Sequence, residues 1–322
     1  MSLPIVIINP ESGGGATRDA WPKIASDLAT HFGAFTPLFT TGAGQGIELA
    51  AEAARKGAAL IIACGGDGTI SEVANGILAA GTSAELGILP SGTGGDFRKT
   101  LGIPSRSGEA VRILRTGRTR QIDVGKIKFQ TEVGELESRY FVGVASFGMS
   151  ADVISRVKER RTDWLPVSGP GWLTGRATFG LAMAQSSLKT EAIRVTIQLD
   201  DDPERHMTVA NICIANARYF GGGMKIAPDA KLADGKFDVV SIGDLGAARL
   251  ITNAPRIYFG AHLGMSEVGH MLAKKVEARP LSKDDRVPIE VDGELPGFLP
   301  ATFQIIPMAL RVRCPRSSRS KI

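Results

Sequence analysis

The stretch Cys64-Gly65-Gly66-Asp67-Gly68-Thr69 stands between two different apolar patterns. A continuous apolar run, Leu60 to Ala63, precedes it and is typical of a buried strand. Apolar residues between Ile70 and Leu78 follow at helical spacing, so the stretch predicts a strand, a glycine turn and a helix. Glycines allow close approach of the backbone to a ligand, and the N–H groups that begin a helix attract phosphate.

The carboxylate of Asp67 lies inside this turn. A negative side chain beside phosphate-binding amides is unfavourable unless a cation lies between them, and Mg²⁺ is the usual cation. The alternative is an ordinary tight turn in which Asp67 caps the helix. The turn alone leaves both interpretations open.

Two further glycine-rich turns follow short apolar runs. Residues 5–8 lead into Asn9-Pro10-Glu11-Ser12-Gly13-Gly14-Gly15, and residues 86–89 lead into a turn that contains Asp96. Strands alternate with helices throughout this half, which indicates parallel strands joined by crossover helices. Ligands of such sheets bind at the carboxyl ends of the strands. The turns should therefore converge, and with Asp67 and Asp96 among them a phosphate and metal site is favoured.

Beyond residue 120 the sequence is rich in strands, and the alternation from Ile193 to Leu199 favours an antiparallel sheet with one wet face. The predicted fold class is α/β plus β, a parallel-sheet nucleotide-binding domain (1–120) followed by a β-sandwich domain (121–307). Residues 308–322 are expected to pack back on the first domain. The predicted segments of the second domain are strands 140–147, 193–199, 207–215, 237–242, 268–278, 287–291 and 302–306 and helices 150–158, 172–188 and 246–262.

Composition excludes several classes of protein. The chain has 322 residues and a net charge of +5, a modest excess that suits a nucleotide or an anionic membrane surface. No apolar run approaches the roughly 18 residues of a membrane span, and the start reads as a strand rather than a signal peptide, so a cytoplasmic location is expected. The three cysteines form neither a disulfide framework nor a zinc pattern. Walker, G-x-G-x-x-G and G-x-S-x-G motifs are absent from the sequence.

The interpretation of two basic stretches remains open at this point. Residues 156–176 join a basic cluster to Trp164 and Trp172 in a loop rich in proline and glycine, which predicts a peripheral contact with a membrane. The alternative is a buried loop beside a solvated basic helix end. The cations of the tail, such as Arg311 and Arg313, are most simply read as a solvated, frayed terminus.

An ordered set of motifs resembles the diacylglycerol kinase catalytic-domain family, which includes bacterial soluble lipid kinases and the sphingosine and ceramide kinases. The resemblance covers nearly the whole chain, and its motifs are Asn9-Pro10 with the Ser/Gly turn, Gly65 to Thr69, Leu89 to Phe97, Ala227 to Phe237 and Val291 to Glu294. One position departs from the family pattern, because Gly95 stands where the family usually has Asn. That change puts the local geometry, and the choice of acceptor, in doubt.

The resemblance implies ATP bound in a cleft between the two domains, Mg²⁺ as cofactor, and phosphorylation of a lipid hydroxyl. Diacylglycerol is the default acceptor, followed by a sphingoid base or ceramide, and a homodimer is what the family suggests. Asp67 and Asp96 would organise the catalytic Mg²⁺, and Glu294 would be the general base. Asp234 would bind a structural Mg²⁺ beside the carbonyls of Lys231 and Lys236. The implied nucleotide site is Asn9, Ser12, Gly13, Thr40, Gly65, Gly66, Asp67, Gly68, Thr69 and Thr93.

Simpler readings of these residues remain. Asp292-Gly293, just before Glu294, is a good pair for a hairpin turn, and so is Asp234-Gly235. An enzyme similar to NAD kinase, which shares a GGDG turn but has a soluble acceptor, is the alternative function. A nucleotide-binding regulator without catalysis is a third, although it would not need all three of Asp67, Asp96 and Glu294.

Overall fold

The computed structural model describes residues 3–92, 95–154 and 192–316. The chain divides into two compact units, here called unit 1 (Met1–Val124 with Pro307–Ile322) and unit 2 (Gly125–Ile306). The two-domain, α/β plus β architecture predicted from the sequence is confirmed. Within the described ranges, no helix is long and apolar enough to cross a membrane.

Unit 1 alternates strands and helices. Its strands are β1 (Ile5–Ile8), β2 (Thr36–Phe39), β3 (Leu60–Gly65), β4 (Glu85–Pro90) and the first part of β5 (Arg118–Gln130). Its helices are α1 (Ala16–Phe32), α2 (Gln45–Arg55), α3 (Asp67–Ala80), α4 (Asp96–Leu101) and α5 (Ser107–Thr116).

The sheet of unit 1 has the strand order β2-β1-β3-β4, and all of these neighbours are parallel. All six residues of β3 are buried. A strand covered on both faces needs the continuous apolar run that the sequence has there. The carboxyl ends of β1, β3 and β4 therefore lie at the same edge of the sheet.

The far end of the chain completes this sheet. Arg311 and Val312 pair in parallel with Glu85 and Leu86. The carboxylate of Glu85 accepts hydrogen bonds from Arg313 at 2.6 and 2.8 Å and from Arg311 at 3.2 Å. Burial alone would raise the pKa of Glu85, but hydrogen bonds from Thr119 and Arg313 and the charges of Arg313 and Arg311 lower it overall. Reading Arg311 and Arg313 as part of a frayed terminus was wrong, because a buried carboxylate holds both in a strand.

Unit 2 is built almost entirely from strands. They are the rest of β5, then β6 (Leu136–Phe141), β7 (Val144–Gly148), β8 (Ile193–Leu199), β9 (Arg205–Ala215), β10 (Phe237–Gly243), β11 (Val268–Ala273), β12 (Lys275–Pro280), β13 (Pro288–Val291) and most of β14 (Glu294–Cys314). A helix, α6 (Ala247–Phe259), and a short 3₁₀ turn (Ala261–Gly264) directly precede β11.

The strand pairing of unit 2 closes on itself through β7, β9, β8, β12, β14 and β13. Buried side chains of these strands and of β5, β6 and β10 form an apolar core, in which Phe141 stacks on Phe237 at 5.5 Å and Phe147 on Phe303 at 6.2 Å between ring centroids. Strand β10 extends the sheet beside β9, with β11 at its edge.

Three predicted strands have different bounds in the structure. The strand expected at 268–278 is two strands that break at Lys274, whose N–H donates to Asp200 at 2.8 Å. The strand expected at 140–147 is also divided, around residues 142 and 143. The strand expected at 302–306 is part of the 21-residue β14. Of the helix expected at 150–158 only the part up to 154 is described, and the helix expected at 172–188 lies outside the described residues.

Candidate active site

The three glycine-rich turns of unit 1 meet at the carboxyl edge of its sheet. A methyl group added to Gly92 would lie 2.9 Å from the Cα of Gly66 and 3.3 Å from the Oγ of Ser12. The buried hydroxyl of Thr17 joins two of the turns, because it donates to the carbonyls of Ser91 at 2.6 Å and Ser12 at 3.2 Å. The backbones approach so closely that glycine is required where they touch.

The first turn begins with Asn9 at the end of β1. Its N–H donates to the carbonyl of Cys64 on β3 at 3.1 Å, and its side-chain oxygen accepts the N–H of Glu11 at 3.1 Å. Ser12 donates its N–H to the carbonyl of Asn9 at 3.2 Å. Gly13 follows with φ of 67°, a left-handed conformation that favours glycine. Asn9 therefore shapes this turn and ties it to β3.

The second turn leads directly into α3. Gly65 ends β3, and the side chain of Thr69 covers it so closely that a Cβ at Gly65 would lie 2.7 Å from the Cβ of Thr69. The N-cap position of α3 is Gly66, which has no side chain that could cap the helix. Gly68, in the first turn of the helix, has open space where a side chain would be. A helix of 14 residues thus presents its positive end at the edge where the turns meet.

Asp67 connects the second turn to the third. Its two carboxylate oxygens accept the N–H groups of Asp96 at 3.0 Å and Phe97 at 3.1 Å, at the start of α4. The expected simple alternative, in which Asp67 caps its own helix, was therefore wrong, because the carboxylate caps a helix that begins 29 residues later. Asp67 and Asp96 are held beside each other by the backbone.

Cations surround this pair of carboxylates. Lys99 lies 2.9 Å from an oxygen of Asp96. Burial lowers the pKa of the half-buried Arg98, while the charges of Asp67 and Asp96 act in the opposite direction. Gly95 has φ of 65°, a conformation that asparagine also tolerates, so the departure from the family pattern keeps the backbone shape while it removes an amide.

The other predicted nucleotide residues are less informative. Thr40 is buried at the end of β2, where its N–H and its hydroxyl both donate to the carbonyl of Ile8, at 2.9 and 3.4 Å. Thr93 lies outside the described residues. The side chain of Thr40 therefore supports the sheet edge, and its contact with a nucleotide stays a prediction.

The carboxylates of unit 1 fit a cation that arrives with a nucleotide. Mg²⁺ usually keeps several waters and takes one or two carboxylates together with substrate phosphates. Asp67 and Asp96, adjacent at the edge of the three turns, match that requirement. Among the described residues, no group of three or more His, Cys, Asp or Glu side chains could hold a metal without such help.

The residues expected to bind a structural metal are in unit 2. The carboxylate of Asp234 accepts the N–H of Lys236 at 3.2 Å, and Gly235 between them has φ of 73°. This is a local turn that leads into β10, and Lys231 lies on its exposed approach. A carboxylate with neighbouring carbonyls is suitable for Mg²⁺, and occupancy by a metal stays a prediction.

Glu294, the expected general base, is the first residue of β14. Asp292 and Gly293 have φ of 48° and 88° and connect Val291 to Glu294 as a two-residue hairpin turn. The interpretation as a hairpin turn is thus correct. Directly after the turn, an oxygen of the Glu294 carboxylate lies 2.9 Å from the guanidinium of Arg139. Sequence reasoning missed Arg139, which sits among the alternating residues of β6 without a motif around it.

Comparison with known proteins identifies both parts of the chain. Residues 4–127 match the diacylglycerol kinase catalytic domain model, and residues 143–314 match the YegS C-terminal NAD kinase beta sandwich-like domain model. A diacylglycerol kinase of Mycobacterium tuberculosis is 29% identical over 96% of this chain and 94% of its own length. One of Bacillus subtilis is 29% identical over 98% of each chain.

Solved structures share the fold. A crystal structure of a diacylglycerol kinase from Bacillus anthracis has a TM-score of 0.71 at 21% identity and covers 99% of this chain and 98% of its own. Yeast NADH kinase complexed with NADH has a TM-score of 0.51 at 9% identity, over 99% of this chain and 84% of that one. With the ordered motifs, the converging turns and the two matching domain models, this chain belongs to the diacylglycerol kinase catalytic-domain family.

Proposed function

We propose that this protein is an ATP- and Mg²⁺-dependent lipid kinase that transfers the γ-phosphate of ATP to a lipid hydroxyl, with diacylglycerol as the first candidate acceptor. The observation that carries the proposal is the convergence of three glycine turns at one sheet edge, where Asp67 is bonded to the backbone of Asp96. The names of the relatives, which are diacylglycerol kinases, support the choice of acceptor.

Unit 1 would bind the nucleotide. The positive end of α3 and the glycine at position 68 in its first turn would offer N–H groups to the phosphates. Asp67 and Asp96 would hold Mg²⁺, which neutralises charge on the transferred phosphoryl group. The positive charges of Lys99 and Arg98 partly balance those of the two carboxylates. These residues bind and orient the phosphates, which is most of what phosphoryl transfer requires of a protein.

Unit 2 would supply the base. Glu294, at the start of β14, would accept the proton of the lipid hydroxyl as its oxygen bonds to phosphorus. Contact with a membrane through residues 156–176 belongs to the same proposal, and that stretch lies outside the described residues.

A panel of acceptors with ATP labelled on the γ-phosphate tests this function. We expect labelled product with diacylglycerol in mixed micelles, dependence on Mg²⁺, and a loss of about 10²-fold or more in the Glu294→Gln variant. Glu137→Gln, which changes an exposed glutamate of β6, is the matched control and should retain full activity.

The remaining arms of the panel separate the alternatives. Sphingosine and ceramide arms decide among lipid acceptors. Product from NAD in the absence of any lipid or detergent would favour an enzyme similar to NAD kinase. Binding of ATP without turnover on any acceptor would favour a regulator, and either result would refute the lipid kinase.

A further inference from the structure

The side chain of Glu294 is restrained by a single cation. Nη1 of Arg139 on β6 lies 2.9 Å from Oε2 of Glu294. The Arg139 side chain is 20% exposed and that of Glu294 is 40% exposed. Within the described ranges, this is the one hydrogen bond of the Arg139 guanidinium. The largely buried guanidinium of Arg139 is therefore paired with one carboxylate, that of Glu294.

The backbone on both sides of this ion pair is also restrained. The carboxylate of Asp292 accepts the N–H groups of Val142, Gly143 and Val144, at 3.0, 2.9 and 3.2 Å, directly after β6. One carboxylate thus ties the hairpin turn before Glu294 to the end of the strand that carries Arg139.

A second carboxylate, which is buried, also holds the turn. The N–H of Gly293 donates to Oε1 of Glu290 at 2.6 Å. Glu290 is itself buried and accepts the hydroxyl of Ser146. The backbone that carries Glu294 is therefore fixed relative to β6 and β7. Arg139 holds the side chain of Glu294 itself.

We propose that Arg139 is a positioning residue for Glu294: it holds Oε2 so that Oε1 faces the acceptor hydroxyl. Glu294 is the base only if the proposed function holds, so this role depends on that function. Orientation matters more than basicity here, since proton transfer accompanies a loose phosphoryl transition state. An exposed ion pair would contribute little, but the arginine here is mostly buried and the backbone on both sides is held.

Steady-state kinetics of Arg139→Met and Arg139→Lys with the best acceptor of the panel test the role. We expect Arg139→Met to lower kcat by about 10- to 100-fold, the range that a misplaced catalytic group costs. KM for ATP should not change, because Arg139 does not hold the nucleotide. Arg139→Lys should recover part of kcat, since lysine keeps the charge but not the planar fork. Arg279→Met, which breaks an exposed ion pair with Glu204 in the same unit, is the matched control.

The effect of Arg139→Met in a double variant separates positioning from a merely structural role. In the Glu294→Gln background the same substitution should have no further effect, because the two residues act as a unit.

The outcomes also distinguish this inference from the proposed function. If wild type turns over a lipid and Glu294→Gln does not, but Arg139→Met keeps the kcat of wild type, the positioning role is refuted and the function stands. Equal losses from Arg139→Met with Glu294 and with Gln at 294 would refute it as well. If Glu294→Gln is fully active, the proposed base is wrong and the role of Arg139 falls with it.

Discussion

Asp67 combines two interpretations that the sequence presented as alternatives. Its carboxylate is a helix cap, as the simpler reading required, but the helix is α4 rather than α3. That contact also holds it beside Asp96, as a cation site requires. A single side chain can thus shape the turn and contribute charge to it, because carboxylate oxygens each accept more than one partner.

Substitution of Asp67 should separate these two contributions. Asp67→Ala removes the acceptor of two backbone N–H groups, so we expect the free energy of unfolding to fall by about 1–2 kcal/mol. Asp67→Asn keeps one oxygen acceptor and should lose less stability, yet it should lose kinase activity as severely as alanine. Urea denaturation and turnover of the three proteins check this, with Asp201→Ala at an exposed turn as control. Equal stability of Asp67→Ala and wild type would contradict the capping role.

Helix α3 carries two glycines with opposite requirements. A Cβ at Gly76 would lie 2.6 Å from the Cβ of Ala50 and 2.9 Å from the N of Ala51, on the facing helix α2. A Cβ at Gly68 would meet none of the described residues within 4 Å. Close packing of α2 against α3 therefore depends on Gly76, while Gly68 is not needed for packing.

Alanine at each of these positions should change stability in different directions. Gly→Ala in a helix usually stabilises by about 1 kcal/mol, whereas forcing a methyl group into a packed interface costs about 1–3 kcal/mol. We therefore expect Gly76→Ala to destabilise the protein and Gly68→Ala to leave it as stable or more so. The affinity for ATP should fall in Gly68→Ala, since a methyl group would occupy space proposed for phosphate. Denaturation and equilibrium ATP binding measure both effects, and a stabilised Gly76→Ala would contradict the packing account.

At the scale of the whole chain, unit 1 is built from two segments, Met1–Val124 and Pro307–Ile322, that are far apart in the sequence. Strand β14 begins in unit 2 and ends in unit 1, where Leu310, Val312 and Cys314 are buried. The N–H of Met308 donates to the carboxylate of Asp123 at 2.8 Å, so the chain re-enters unit 1 close to where it leaves. The first 124 residues therefore form only part of the first domain.

A fragment experiment tests this dependence. We expect residues 1–124 alone to be less stable than the same fragment joined by a short glycine linker to residues 307–316. Burying Leu310 and Val312 alone contributes about 1.5–3 kcal/mol each. The lowered pKa of Glu85 adds stability at pH values above about 4.3, the ordinary pKa of glutamate in an unfolded chain. This contribution is lost as the pH falls through the pKa that Glu85 has in the folded protein. Urea denaturation of both fragments between pH 7 and pH 3 measures the difference. Equal stability of the two fragments at pH 7 would contradict the account.

Local sequence patterns were sufficient to predict the strands and helices of unit 1 and its glycine turns. Apolar runs, helical periodicity and glycine content are properties of short stretches, so β1, β3, β4 and α3 could be predicted where they occur. The order of the motifs was sufficient for the family. Strand breaks such as that at Lys274 were not predictable, because the partner of its N–H is 74 residues away in the chain.

Tertiary packing decided the partners of the charged residues. Arg139 and Glu294 are 155 residues apart in the chain, and Glu85 and Arg313 are 228 apart. Periodicity says which face of a strand a residue occupies, but not which distant strand lies beside it. A charged side chain within such a pattern could equally be solvated, and only the folded chain determines that Asp67 caps α4, that Glu85 holds the last strand and that Arg139 meets Glu294.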